Sequence, residues 1–175
     1  MNFTQRMLMV LTVSLMPILA PAAEHMNIVL IMADDSAADN YGCYGSTFFS
    51  TPRLDALAAS GAKFNHCYSE PVCTPSRVKI MTGRDGIRNY TAFGSLDRDE
   101  ITFGTMMQKA GYATAVAGKW QLHGGPNGSL APDCGFDTFC LWNYPGARRE
   151  RFWNPGVVRD GTVLETTKED YGPDI

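Results

Sequence analysis

Residues 101–120 read "ITFGTMMQKAGYATAVAGKW", a helix pattern and a strand pattern joined by one glycine. Thr102 is placed to cap the helix, Met106, Met107 and Ala110 share an apolar face, and Gly111 stops it. "YATAVAG" (112–118) then reads as a strand that leads straight into Lys119 and Trp120. The same alternation occurs upstream. In "STPRLDALAASG" (50–61) Ser50 or Thr51 caps, Pro52 occupies the first turn, Leu54, Leu57 and Ala58 share a face, and Gly61 stops. "AKFNHCYS" (62–69) follows as a second strand, and "TPSRVKIMTG" (74–83) as a further short helix with proline in its first turn and Gly83 at its end. Ahead of these, "NIVLIMA" (27–33) is the continuous apolar run expected of a strand buried on both faces of a parallel sheet. Strands alternating with short helices predict an α/β fold, a largely parallel sheet flanked by helices.

Past residue 120 the texture changes. Residues 121–156 are rich in Gly, Pro, Trp and Arg and read as loop-dominated; 157–175 read as a hairpin followed by chain without a closing element. The fold on this reading is incomplete.

The composition is that of an ordinary globular protein, 45% hydrophobic and 19% charged over 175 residues, enough for one domain with a sizeable core. A net charge of -3 offers no basic face, which argues against nucleic acid or an anionic membrane as partner. Residues 1–23 have the form of a signal peptide: Arg6, an apolar stretch over 7–20, then small residues around Ala22 and Ala23. The apolar stretch is short for a membrane span, so the expectation is an exported chain, periplasmic or secreted, with no span once the leader is cleaved. An uncleaved anchor is the alternative. Five cysteines (43, 67, 73, 134 and 140) follow the leader, so at least one cannot pair within the chain; no Cys-x-x-Cys occurs.

Four places carry candidate chemistry. Asp34-Asp35 ends the first apolar run, where open α/β sheets gather ligands. Adjacent carboxylates repel unless a cation compensates, and hard oxygens suit Ca²⁺ or Mg²⁺; a solvated turn or a helix cap fits the same pattern. Cys73 lies just ahead of a helix start with Arg77 one turn on, both of which favour an anion there; read alone, a core cysteine or half of a disulfide with Cys67 is the commoner role for such a residue in an exported chain. Lys119 follows a strand, placed to bind an anionic substrate group or simply to face solvent. His123 is an acid, a base or a loop residue.

Together these residues resemble the N-terminal part of a type I sulfatase, of the alkaline phosphatase superfamily. The resemblance runs from residue 27 to the end, so residues 24–175 are identified as the N-terminal part of a sulfatase catalytic domain. Its most specific motif is Cys-x-Pro-x-Arg with a closing Thr-Gly, here Cys73-Thr74-Pro75-Ser76-Arg77 and Thr82-Gly83; "GCYG", "TPRLDALAASGAKFNHCYS" and "AGKW" fall in the family's order. The resemblance implies that Cys73 is oxidised by a formylglycine-generating (sulfatase-maturing) enzyme to formylglycine, an aldehyde resting as its hydrate. One hydroxyl would attack sulfur and displace the alcohol; the second, deprotonated, would collapse to the aldehyde and expel sulfate. It implies a Ca²⁺ ion, or Mg²⁺, on Asp34, Asp35 and residue 73, with Arg77 holding the hydrate and Lys119 neutralising the sulfate oxygens. The implied substrate is a sulfate ester, a sulfated small molecule or carbohydrate. Cys73 is then the cysteine left out of any disulfide.

Two departures stand out. The family commonly reads Gly-Lys-Trp-His-Leu-Gly, whereas Gln121 follows Trp120 here and cannot shuttle a proton; His123 is two residues on. Family members also run to several hundred residues and carry a second pair of metal ligands downstream of position 175. A phosphonate monoester or phosphodiester hydrolase of the same superfamily, and a truncated non-catalytic remnant, are the alternative readings. Trp142, Tyr144, Arg148, Arg149, Arg151 and Trp153 form an aromatic, basic stretch suited to lining a site for a sulfated sugar.

Overall fold

A computed structural model describes residues 26–147 and 150–175. The chain divides into two units, Met1–Ile31 and Met32–Ile175. The expected leader, Arg148 and Arg149 lie outside the described residues. Among the described residues no helix is long and apolar enough to cross a membrane.

Among the described residues the second unit holds four α-helices and four strands. Helix α1 is Pro52–Ser60, α2 Cys73–Thr82, α3 Gly86–Asn89 and α4 Phe103–Lys109; the strands are β1 Ala115–Lys119, β2 Thr138–Trp142, β3 Val157–Arg159 and β4 Thr162–Val163. The sheet order is β1-β2-β3-β4, with β1 and β2 parallel and the other two pairs antiparallel. The α/β class stands, as a mixed sheet flanked by helices. The 157–175 hairpin forms as β3 and β4, joined through Asp160 and Gly161 at positive φ.

Of the helix signals read in the sequence, Thr102 and Gly83 act as expected, whereas Thr51 precedes α1 without a side-chain capping bond, its hydroxyl being engaged by Gly42 N–H and Asp55. Thr102 caps α4 through a reciprocal box with Thr105, each hydroxyl accepting the other's backbone N–H, and Thr102 also donates to the Cys134 carbonyl at 2.7 Å. Helix α2 ends at Gly83, whose φ of 65° is the left-handed conformation glycine adopts without a Cβ penalty.

Three expectations fail. Residues 27–33 carry no strand, and Ile28, Val29, Leu30 and Ile31 are exposed. A parallel strand exists only through hydrogen-bonded neighbours, and none pairs with this run among the described residues. Residues 62–69 likewise form no strand; Phe64 and Tyr68 are exposed, and no ladder partner faces them among the described residues. Conversely β2 lies inside the segment read as loop. Its alternating burial, with Phe139 and Leu141 inward, is strand-like, but glycines and prolines around it hide the period.

One core joins these elements: Val78 and Met81 of α2, Leu96, Trp120, Leu122, Cys134, Phe136, Phe139, Leu141, Tyr144 and Val158. Trp120 is its centre, 1% exposed, with its indole N–H donated to the Ser129 carbonyl and edge-on rings from Phe136 and Tyr144. Burying the Cys134 thiol there pushes its pKa to about 12.

Candidate active site

The parallel pair is pinned at both ends. At its start the Asp137 carboxylate accepts from the Thr114 backbone N–H and hydroxyl, 2.9 Å each. At its finish Trp120 N–H donates to the Trp142 carbonyl and Gln121 N–H to the Asn143 carbonyl, both at 3.1 Å. The resulting register sets Lys119 opposite Trp142. Successive strand side chains point to opposite faces, so if Trp120 enters the core its neighbour Lys119 leaves it. Lys119 thus emerges at the carboxyl end of β1, where open α/β sheets bind ligands.

Helix α2 brings the other half. Its first residue is Cys73, and Pro75 costs nothing in the first turn, where backbone N–H groups have no helical partner. Ser76 anchors the approach to the helix: its hydroxyl accepts from Glu70 N–H at 3.0 Å and bonds the Glu70 and Val72 carbonyls. Thr74, fully buried, accepts from Gly94 N–H. Cys73 and Arg77 are four residues apart and share a helix face.

These two elements meet. The Cys73 thiol donates to Gln121 Oε1 at 3.3 Å. Arg77 donates from Nη1 to the Lys119 carbonyl at 2.7 Å and from Nη2 to Asp34 Oδ1 at 3.3 Å. Lys119 Nζ lies 2.8 Å from Asp34 Oδ2, and Arg151 Nη2 reaches the same oxygen at 3.3 Å. Asp34 therefore sits among three cations. Burial alone would raise its pKa, but hydrogen bonds and charge from Lys119 and Arg77 outweigh that and hold it below the ordinary carboxylate value. All five cysteines are free thiols, so Cys73 is not tied to Cys67.

Of the residues singled out from sequence, Cys73, Arg77, Lys119 and Asp34 converge. Asp35 does not join them: it is exposed, at φ 52°, with no ion pair among the described residues. His123 sits against the Tyr144 ring, burial lowers its pKa, and its Nδ1 has no partner among the described residues. Three further contacts escaped sequence reasoning. Gln121 reaches Cys73, and Trp142 lies under both Lys119 and Arg151, 5.8 and 5.0 Å from its ring centre. The density of Arg and Trp over 142–153 was the available signal, but it does not say which residue reaches Asp34.

As a divalent-ion site the set is partial. Asp34 and Asp35 are hard oxygen donors of the right kind, yet Ca²⁺ takes about six to eight such oxygens. Among the described residues no three His, Cys, Asp or Glu side chains converge on a metal-sized space.

The family model described as Sulfatase matches residues 26–168. Arylsulfatase A of Homo sapiens is 42% identical over 123 residues, 65% of this chain and 24% of the relative. N-acetylglucosamine-6-O-sulfatase of Bacteroides thetaiotaomicron is 32% identical over 154 residues, 85% of this chain and 25% of the relative. A structure solved in complex with its substrate D-glucosamine-2-N,6-O-disulfate superposes with a TM-score of 0.70 at 30% identity, over 85% of this chain and 28% of that one. The chain spans a fifth to a quarter of the length of the curated relatives it matches. With the matched region covering most of the chain, and the motif cysteine, arginine and lysine gathered at one strand end, the chain belongs to the sulfatase family.

Proposed function

We propose that the chain is part of the catalytic domain of a sulfuric ester hydrolase, with formylglycine made from Cys73 as its nucleophile. The observation that supports it best is the meeting of Cys73 with Gln121, Arg77 and Lys119 at the carboxyl end of β1. Conversion by a sulfatase-maturing enzyme would supply the hydrated aldehyde whose hydroxyl attacks sulfur. Gln121, an amide that accepts from position 73, orients the group held there and cannot take its proton at neutral pH. Arg77 is held in place by the Lys119 carbonyl and Asp34, which sets its guanidinium charge one helical turn from Cys73. Lys119 offers its ammonium group to the sulfate oxygens, where charge grows in the transition state.

Asp34 and Asp35 are the two carboxylates this chain would bring to a divalent ion, Ca²⁺ or Mg²⁺. That ion would polarise the ester and lower the pKa of the nucleophile. A sulfated carbohydrate is the proposed substrate class, as the names of the glucosamine-acting relative and structural neighbour suggest. Residues 1–23 would direct export.

Mass spectrometry of the peptide containing Cys73, isolated from its native host, is expected to show the mass loss of an aldehyde replacing a thiol. Cys73→Ala is expected to lower sulfate-ester hydrolysis by about a thousandfold or more, as loss of a nucleophile does elsewhere. An unmodified thiol in active protein sinks this reading. Faster cleavage of a phosphate diester or a phosphonate monoester than of a sulfate ester moves it to the neighbouring hydrolase class.

A further inference from the structure

Three cations facing one carboxylate leave a surplus of positive charge beside Cys73. Arg77 and Lys119 are each 12% exposed, and Asp34 16%. Lys119 Nζ and Arg151 Nη2 lie 2.8 and 3.3 Å from the same Asp34 oxygen, so these like charges are held close to one another, a repulsion that a further anion would relieve. Asp35, the nearest carboxylate along the chain, does not pair with them among the described residues.

Arg151 differs from the other two cations in how it is held. Its guanidinium lies 5.0 Å from the ring centres of both Trp142 and Phe152, so aromatic faces fix it while its N–H fork stays open. It is 41% exposed and makes one 3.3 Å contact with Asp34. Its backbone is pinned from behind. The Phe152 carbonyl accepts from Gly172 N–H at 2.6 Å, Asn154 N–H donates to the Asp170 carbonyl, and the Trp153 and Tyr171 rings pack at a 40° tilt with centroids 5.0 Å apart. The approach is close enough that a Cβ on Gly172 would lie 2.7 Å from the Arg151 carbonyl. Trp142 is in turn placed by sheet register, between Lys119 of β1 and Val157 of β3. Two strands and a turn thus converge to hold one exposed guanidinium beside the thiol's neighbours.

We propose that Arg151 is a specificity-determining residue that binds an oxyanion of the substrate, and that Trp142 is the positioning residue that aims it. The identity of the anion, a sulfate group, rests on the function proposed above; the cradle itself does not require Cys73 to react. Arg151 is the outermost cation and meets the anion first, Lys119 shares the same ring, and Arg77 closes the inner side.

The test is a calorimetric titration of inorganic sulfate onto the full chain with Cys73 as the thiol, at constant ionic strength. Arg151→Gln is expected to weaken sulfate binding about tenfold, the worth of one charge-assisted hydrogen bond. Arg151→Lys should recover part of that loss, because it keeps the charge without the fork, and Trp142→Phe should weaken binding by about threefold through a poorer cation–π face. Lys109→Gln, which removes an exposed cation in the last turn of α4, should leave affinity unchanged. In turnover with a sulfate ester, Arg151→Gln should raise KM with kcat within about twofold. Unchanged sulfate affinity in Arg151→Gln overturns the proposal, as does an equal loss in Lys109→Gln or a fall in kcat without a rise in KM. If no ester is cleaved but Arg151→Gln still weakens sulfate, the hydrolase reading fails and the anion cradle stands.

Discussion

Helices α1 and α2 begin and end alike in sequence, each with a proline in its first turn and a glycine after its last residue, yet the protein treats them oppositely. Helix α1 buries none of its residues; Leu57 is 64% exposed. It is held by polar contacts at its start. Asp55 accepts from Cys43 N–H at 2.7 Å and from the Thr51 hydroxyl, which itself accepts from Gly42 N–H. Gly42 leaves room for this contact, since a Cβ there would force the Asp55 carboxylate to move. Helix α2 is held by the core, with Val78 fully buried, and it is the helix that carries Cys73 and Arg77. Caps and breakers mark where a helix lies. Burial decides how firmly it is held, and side chains on the buried helix are the more rigidly placed of the two.

The contrast can be broken by mutation. Val78→Ala is expected to cost about 2–3 kcal/mol in denaturant unfolding, from lost burial and the cavity left behind, while Leu57→Ala should change stability by less than about 0.5 kcal/mol. Equal costs would mean that the two helices are not held differently.

Asp34→Asn comes next, expected to cost about 1–3 kcal/mol near neutral pH by leaving three cations without their carboxylate. Its pH dependence sharpens the point. The folded pKa of Asp34 lies below the unfolded 3.8, so its stabilisation is complete above that value and fades as pH falls through the folded pKa. The wild type and Asp34→Asn curves should therefore converge in acid. A gap that persists below the folded pKa would show that the ion pairs are not its source.

The smallest effect leaves stability untouched. Alkylation of the native protein should label Cys67, exposed in the segment between α1 and α2, and spare Cys134, buried with its pKa raised to about 12. Labelling of both at similar rates would show that the core opens as readily as the loops.

Local signals made much of this legible. Thr102, Gly111, Pro52 and Gly83 act through their own backbone geometry within a few residues, so α1, α2, α4 and β1 could be read directly. The motif from Cys73 to Arg77 was legible for the same reason, being one helical turn. Residues 27–33 and 62–69 failed because apolar content measures a wish for burial, whereas a strand needs partners that no local pattern names. In the candidate site, Gln121 and Arg151 were not readable as contacts. Gln121 holds φ 54° beside Asn143 at φ 51°, an arrangement that exists only where β1 and β2 end together. Arg151 reaches Asp34 across 117 positions of chain.

By itself, the sequence determined most of the helix ends, the emergence of Lys119 at the end of a strand, and the placing of Cys73 at a helix start with Arg77 one turn on. Each follows from the 3.6-residue and two-residue periods of a regular backbone. Only the tertiary structure decided that Lys119 lies beside Trp142, that Arg151 joins it there, and that Asp34 is the carboxylate between three cations. Those depend on strand register and on a return loop, and both are set by contacts between residues far apart along the chain.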